Sequence, residues 1–486
     1  MIDSSSTAAY DVLIVGAGLA GLSSAVALSA AGARVALLER KPYVGGRAYS
    51  YQHPALDEVI DSQHVLLGCC TNLIDLCKLA GADRHIRWYD NITFLEPGIG
   101  DIPTRRSDIG PSALPSPGHS SLSFLRAPML SLTDKSRISL GLLDFLRGYP
   151  TSDDEPFSAW LKRTKQTDRA IRHFWEPVIV GALNDSFDRC STRYAGQVFH
   201  ETFMKSAEGG RLGIPSQPLS QFYAAVAKLA EQQGTAMHLR TSIDSIQKIA
   251  GSEDLSHALW QATTADGSIF RAPNLLLALP FEQTARLLAT LPENSSQRQA
   301  LPSMDRFTHA PITTIHLWFD RMITDLDHAA LLDTRIQWMF NKSRIRSLEP
   351  DSESQAGQYL ELVISASFAE LHQTRDQICQ AATDEFARFV PAVREAKILK
   401  SGILKEARAT FSVIPGLDRF RPTADAPGDG LYVAGDWTCT GWPSTMEGAV
   451  RSGRLAAASI AKAAGSPTVF LSPDLPYSGL MRLLAR

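Results

Sequence analysis

Two stretches of this 486-residue chain hold side chains whose types and spacing can do chemistry. The first, Asp61-Ser62-Gln63-His64-Val65-Leu66-Leu67-Gly68-Cys69-Cys70, gathers an acid, an imidazole and two thiols. One histidine beside two adjacent cysteines spaces poorly for tetrahedral metal coordination, and no distant His/Cys pair completes a set, so no metal site is expected. A Cys69–Cys70 disulfide would close a strained ring, and both thiols read as small wall residues. His64 remains. Its ordinary pKa of about 6.5 suits proton transfer near neutrality, with Asp61 placed to orient it. The plain alternative is that His64 hydrogen-bonds backbone or a cofactor while Asp61 caps a turn.

The second stretch runs from Tyr10 to Glu39, "YDVLIVGAGLAGLSSAVALSAAGARVALLE". Val12 to Val15 is a continuous apolar run suited to a buried parallel strand, and Gly16-x-Gly18-x-x-Gly21 comes directly after it. Small and apolar residues continue with helical length to Ala31, Gly32 breaks the helix, and Arg34 to Leu38 makes a second buried strand. This is a βαβ unit. Gly16 permits the tight turn, Gly18 lets backbone approach a pyrophosphate, and Gly21 lets helix and strand pack closely. The helix N-terminus contributes free N–H groups and roughly +0.5 charge for phosphates. Glu39 ends the second strand, where a carboxylate accepts the hydroxyls of an adenosine ribose.

The segment after Glu39 separates FAD from NAD. In "ERKPYVGGRAYS" the Gly45-Gly46 pair and Arg47 come directly after the ribose acid, positioned to reach a pyrophosphate from its other side. An exposed turn with a solvated arginine is the alternative. Near the other end, Leu431 to Ala434 reads as a short buried strand closed by Gly435-Asp436, and a helix begins near Pro443-Ser444. Asp436 is placed to bond a flavin ribityl chain, with the next helix N-terminus facing the pyrimidine end of the flavin. The Gly, Ala and Ser residues of "EGAVRSGRLAAAS" imply close packing against the cofactor or the N-terminal helix.

The rest of the chain must hold these groups in place. Hydrophobic residues make up 44% and charged residues 20%, a globular composition, and the length suggests two or three domains. A formal charge of -3 argues against a nucleic-acid partner. "MIDSSSTAAYD" lacks the features of a signal peptide, and no apolar run reaches the roughly 18 residues of a membrane span. A cytoplasmic, soluble protein with reduced thiols is therefore expected. The tail "LPYSGLMRLLAR" is apolar and basic; it is read as packing on its own domain, with peripheral membrane contact as the alternative.

Taken together, GAGLAGL with Glu39, the GGR at 45 to 47 and the closing AGDW resemble the FAD-dependent amine oxidase and phytoene desaturase superfamily. Within it the chain is most similar to the hydroxysqualene dehydroxylase family, also called squalene-associated FAD-dependent desaturases. The stretches carrying this narrower likeness include "QHVLLGCC", "FWEPVIVGALN", "ITTIHLWFD", "IQWMF", "LVISAS", "EARATFSVIPG" and "AGDWTCTGWPSTMEGAVRSG". Departures exist: the turn before His64 is one residue shorter than the family's Asp-Asn-Gly-Gln-His, and Cys70 stands where an aromatic is common.

The resemblance implies an α/β fold, a Rossmann-like FAD-binding domain with a parallel sheet, interleaved with a mixed-sheet and helical substrate domain. The expected boundaries are FAD-binding parts at 1–96, 205–280 and 406–465, a helical lid at 97–204, a mixed sheet at 281–405 and a tail at 466–486. The Pro/Gly/Ser-rich stretch from 97 to 121 is read as a loop, while 237–249 and 274–280 are read as strands rejoining the cofactor domain. The resemblance also implies that Leu19, Ala20, Arg40, Ile243, Met446, Glu447 and Ala449 border FAD. It implies reductive loss of water from hydroxysqualene to give squalene, in squalene and hopanoid synthesis. An electron donor for the flavin and the enzymes that make hydroxysqualene would be the partners. Phe174, Trp175, Trp318, Trp338 and Phe340 are the expected walls for such a hydrocarbon. The competing readings are an oxidative carotenoid-type desaturase or amine oxidase and, from another class, a non-catalytic prenyl-binding escort protein.

Overall fold

A computed structural model describes residues 10–98, 102–249, 259–346 and 357–484. Among them a parallel sheet of five strands lies in the order Ala236–His238, Val35–Leu38, Val12–Val15, Asn274–Leu277 and Leu431–Val433. Its central strands are buried along their whole length, which explains their unbroken Val/Ile/Leu composition. Leu19–Ala30 is buried on all sides because it lies between this sheet, Met446–Ala463 and Leu219–Gln232.

The small residues near the C-terminus pack on that helix. Ser23 and Ser24 donate to the carbonyls of Val450 (3.1 Å) and Gly453 (2.9 Å). A Cβ on Gly453 would stand 2.2 Å from the Ala20 carbonyl oxygen, so only glycine permits this crossing. Met446–Ala463 starts two residues later than Ser444, with Thr445 as its cap, its hydroxyl accepting from Gly448 N at 3.0 Å.

The second sheet has seven strands, ordered Ile398–Phe411, His309–Phe319, Gln358–Ser365, Trp338–Asn341, His328–Leu331, Ile92–Glu96 and Arg105–Ile109. All neighbours are antiparallel except Ile92–Glu96 on His328–Leu331, so the sheet is mixed. Helical segments, among them Glu176–Leu183 and Thr192–Phe199, cover one end and include π-helical stretches at Ile171–Trp175 and His200–Met204.

Three expectations change. The span 97–121 is not all loop, because Arg105–Ile109 pairs with Ile92–Glu96; its polar sequence hid a sheet-edge strand. Ile92–Glu96 belongs to the mixed sheet, and Ile398–Phe411 runs unbroken across the expected boundary at 405/406. The strand read over 237–249 is two, parted near Arg240 at φ 55°, with Ile243–Ile249 leaving for a separate three-stranded sheet. The tail packs down: Ser478 N donates to Lys205 O (3.0 Å), Leu480 N to Ser116 O (2.8 Å), and Met481 is buried.

Candidate functional site: a dinucleotide groove opening into an apolar chamber

One cavity of about 540 Å³ runs from the ends of the parallel strands into the space under the mixed sheet. Gly16, Gly18, Leu19, Ala20, Glu39, Arg40, Gly45, Gly46, Arg47, Ile243, Gly435, Asp436, Met446, Glu447 and Ala449 all line it. Gly21 does not. A Cβ there would stand 1.9 Å from Gly16 O, so this glycine serves the helix–strand contact. At Gly18 a Cβ would meet nothing closer than Gly46 Cα, 3.8 Å away. Two glycine-rich turns therefore face each other across a gap shaped for an extended ligand.

The donors suit a dinucleotide. Helix Leu19–Ala30 starts at Gly18 with no side-chain cap, leaving first-turn N–H groups for an anion. Glu39 is buried, and its two oxygens accept from Ala17 N (2.8 Å) and Lys41 N (2.9 Å), which fixes the carboxylate while lone pairs remain for ribose hydroxyls. Arg47 Nη2 lies 2.5 Å from Asp436 Oδ1, and Ser444 Oγ bonds Oδ2, so the GGR turn and the closing strand meet at one carboxylate. These residues fit FAD: Glu39 would meet the ribose, Gly18, Gly46 and Arg47 would face the pyrophosphate, and Asp436 would meet the ribityl chain. Bound there, FAD supplies hydride chemistry.

Glu447 lines the cavity with its carboxylate already engaged. It accepts from Asn72 N (3.2 Å), Asn72 Nδ2 (3.1 Å) and Leu73 N (2.7 Å), capping the helix Thr71–Leu79. That scaffold role is one that only a partner distant in sequence discloses.

Asp61 has other partners, and among the described residues no hydrogen bond joins it to His64. Its Oδ1 accepts from Lys342 Nζ and Arg346 Nη2, each at 3.1 Å, and its Oδ2 from Ser50 Oγ (2.7 Å) and Leu219 N (3.2 Å). Burial alone would raise its pKa, but Lys342 and Arg346 outweigh it and hold the carboxyl well below the usual range. Lys342 Nζ also reaches Gln63 Oε1 (2.7 Å) and Glu361 Oε2 (3.0 Å), while Glu361 Oε1 accepts from Gln63 N at 2.6 Å. The turn before His64 is thus clamped by a lysine, an arginine and two carboxylates contributed from three places in the chain.

His64 lines the cavity, with Nδ1 2.7 Å from Ser62 O. A carbonyl only accepts, so Nδ1 carries the hydrogen, and Nε2 of the neutral ring is an acceptor. Burial lowers the pKa of His64 below its ordinary value, which keeps the ring neutral near pH 7. Cys69 and Cys70 are free, buried and in the wall; a hydrogen bond from Cys69 and burial push the Cys70 thiol far up, so it stays protonated.

The chamber beyond is mostly apolar, with Val65, Phe94, Val178, Phe203, Trp338 and Phe340 among its walls. Trp338 and Phe340 stack 5.9 Å apart. The other three expected wall residues lie elsewhere. Trp175 is fully buried, with Nε1 bonded to Gln166 Oε1 (2.8 Å), and Phe174 stacks on Phe199 behind the wall; Pro177 and Val178, just along the helix, face the cavity instead. Trp318 lies six positions beyond Ile312, a lining residue, about 20 Å at ~3.4 Å per residue, and stacks on Tyr359 past the chamber's end. An aromatic residue in a motif fits a core as well as a cavity, and only register tells them apart.

Sequence reasoning missed several groups. Glu406, Gln197 and Glu201 line the cavity, and Gln197 Oε1 is buried with no partner among the described residues. Arg421, also buried, donates from Nη2 to the carbonyl oxygens of Asp436 (2.9 Å), Thr438 (2.6 Å) and Trp442 (2.8 Å), which pins the loop that presents Asp436. Glu406 opens the stretch "EARATFSVIPG", where a signal existed. The others gave none, since a lone arginine or glutamine reads as surface.

Comparison with known proteins agrees with this geometry. A family model described as flavin containing amine oxidoreductase matches residues 19–461. The 15-cis-phytoene desaturase of Solanum lycopersicum is 25% identical over 473 residues, covering 93% of this chain and 78% of its own. The zeta-carotene desaturase of Zea mays is 25% identical over 485 residues, covering 92% and 83%. Among solved structures, an oxidoreductase from Methanosarcina mazei superposes with a TM-score of 0.67 at 17% identity, covering 93% of this chain and all of that one (100%). Cyclohexylamine oxidase from Brevibacterium oxydans gives 0.65 at 18%, covering 94% and 99%. With the fold, the groove and the family model in agreement over most of its length, the chain belongs to the flavin containing amine oxidoreductase family and is an FAD-dependent oxidoreductase.

Proposed function

We propose that this enzyme acts on a long isoprenoid, and that its reaction is the reductive dehydroxylation of hydroxysqualene to squalene. The observation that carries the substrate class is the apolar chamber joined directly to the flavin end of the groove, walled by Val65, Phe94, Trp338 and Phe340. A hydrocarbon of this kind offers almost nothing to hydrogen-bond, and burial of its apolar surface supplies its affinity. The likeness to phytoene and zeta-carotene desaturases supports an isoprenoid, and the motifs spread from "QHVLLGCC" to the closing AGDW support the dehydroxylase reading. A dry chamber suits the loss of an allylic hydroxyl because it keeps water from recapturing the carbon centre. His64 Nε2, an acceptor, would hold the substrate O–H.

A second reading, oxidative desaturation, draws on the same relatives and on the unprotonated Nε2 of His64, which has a lone pair free to face the substrate. One anaerobic experiment separates the two. Reduced enzyme is mixed with hydroxysqualene, and oxidised enzyme with phytoene and with a simple amine, while flavin absorbance and product mass are tracked. Flavin oxidation with formation of squalene is expected. Flavin reduction by phytoene, with no response to hydroxysqualene, would replace the dehydroxylase reading by the desaturase one.

We further propose that the protein collects its substrate at a membrane surface. Among the described residues no helix is long and apolar enough to cross a membrane. Leu122 and Leu125 on the helix Ser121–Arg126, with Leu114, Leu480 and Leu483 near the Leu480–Ser116 contact, are exposed. Flotation with liposomes is expected to carry the protein with them, and Leu122→Ser with Leu125→Ser to release it; a protein that never floats removes this proposal.

A further inference from the structure

The strand Ile398–Phe411 does not pair evenly with His309–Phe319. Ala310 faces Thr410 and Ile312 faces Glu406, so four steps on one strand oppose two on the other, and a bulge stands out from the ladder. Bulges of this kind re-aim side chains next to active sites. Here the bulge turns Glu406, Ala409 and Thr410 into the cavity wall. It is also tied to the cofactor groove: Arg47 Nη1 donates to Ala409 O (3.4 Å), and Phe411 N donates to Ser444 Oγ (3.2 Å).

Five carboxyl groups line the cavity, and four are committed. Glu39 is held by backbone N–H groups, Asp436 by Arg47 and Ser444, Glu447 by a helix N-terminus, and Glu201 by Lys205 at 2.9 Å. Among the described residues the Glu406 carboxyl has no hydrogen bond and no ion pair. We propose that Glu406 is the acid of the reaction, giving its proton to the departing hydroxyl of the substrate; this role rests on the dehydroxylation reading.

Two observations support the assignment. His64 has its one ring hydrogen directed at Ser62 O, so the resting imidazole has no proton to give through Nε2. Burial holds Glu406 above its ordinary pKa against the attraction of Lys41, which favours a protonated carboxyl. The titratable groups it interacts with are Lys41, Tyr49 and Tyr51 from the segment after Glu39, while the paired strand presents Ile312 and Arg408 turns to Glu282. In the step, the Glu406 O–H bond breaks and its proton goes to the hydroxyl oxygen. The C–O bond breaks with its electron pair on oxygen, and water leaves. Reduced FAD held in the groove would supply the hydride that the carbon gains and would be left oxidised, and Glu406 regains a proton from solvent.

The test is Glu406→Gln, which keeps size and hydrogen bonding but has no acidic proton. Flavin content and squalene binding are expected to stay as in the wild type, while anaerobic single-turnover oxidation of reduced enzyme by hydroxysqualene slows by about 10²–10⁴-fold. Glu406→Asp is expected to recover part of the rate. In the infrared, the wild type minus Glu406→Gln difference is expected to hold a carboxylic-acid C=O band that titrates above the ordinary value of about 4.3. A wild type that turns over while Glu406→Gln stays within threefold of it, or a band that titrates at the ordinary value, overturns the role of Glu406 alone. A reduced wild type that hydroxysqualene does not oxidise overturns the dehydroxylation reading and this role with it.

Discussion

The groove that would hold FAD and the chamber that would hold substrate are parts of one cavity, yet they are built in opposite ways. The glycine-rich end of the groove is local. Gly16, Gly18, Gly21 and Glu39 lie within 24 consecutive residues, and each acts through its own turn or strand end. The chamber is assembled from distant pieces: Phe94, Val178, Phe203, Trp338 and Glu406 come from five separate segments brought together by a mixed sheet and a helical cover. A locally built site depends on backbone geometry, whereas a distantly built one depends on packing and on buried charge. Mutations should therefore fail differently in the two.

The sharpest contrast lies inside the groove. Gly21→Ala puts a methyl group 1.9 Å from Gly16 O, where backbone must move, and is expected to remove both the fold of this region and the bound flavin. Gly18→Ala meets no protein atom closer than 3.8 Å. It is expected to leave the thermal unfolding of the apoprotein near wild type while weakening FAD at least tenfold, as read from flavin absorbance after dialysis. Equal losses of stability in both variants would mean that Gly18 serves packing rather than the cofactor.

On the substrate side the largest effect is expected at Lys342. Lys342→Met leaves Glu361 without its cation and Asp61 with Arg346 alone, and truncating one partner of a buried ionic cluster costs about 3–5 kcal/mol. Urea denaturation at pH 7 measures it. The pH dependence gives the sign. Asp61 has a depressed folded pKa, so in the wild type its contribution is complete above the unfolded value of about 3.9 and is lost as pH falls toward the folded one. The gap between variant and wild type should accordingly narrow below about pH 4. A gap unchanged by acid would place the loss in packing instead of charge.

The same division decides what the sequence discloses. The βαβ unit, Arg47 and Asp436 were legible because the chemistry needs those residue types at fixed spacing along a continuous chain. The clamp under His64 was not, since Lys342 joins Asp61 to Glu361 only when the strands Trp338–Asn341 and Gln358–Ser365 pair. The polar strand Arg105–Ile109 was read as loop because the proline- and glycine-rich sequence around it masks a sheet edge. The bulge at Glu406 arises from a register shift that no periodicity marks. The aromatic residues show the limit clearly: five were read as walls, and only Trp338 and Phe340 line the cavity.

That last division gives the smallest expected effect and the finest test of the chamber. Trp338 packs beside Gly181, where a Cβ would approach its indole nitrogen to 2.9 Å, and its ring forms part of the wall. Trp338→Ala removes apolar contact with a hydrocarbon substrate and is expected to raise KM about tenfold, equivalent to ~1.4 kcal/mol, with flavin content unchanged. Trp318 stacks on Tyr359 at 4.2 Å outside the cavity, so Trp318→Ala should lower stability and leave KM within about twofold. Steady-state kinetics with substrates of graded chain length separates them further: the Trp338→Ala penalty should grow with length until the chain reaches the Trp338–Phe340 stack and then level off. A Trp318→Ala variant with the larger rise in KM would mean that the chamber extends along the strand past Ile312, toward the far end of the mixed sheet.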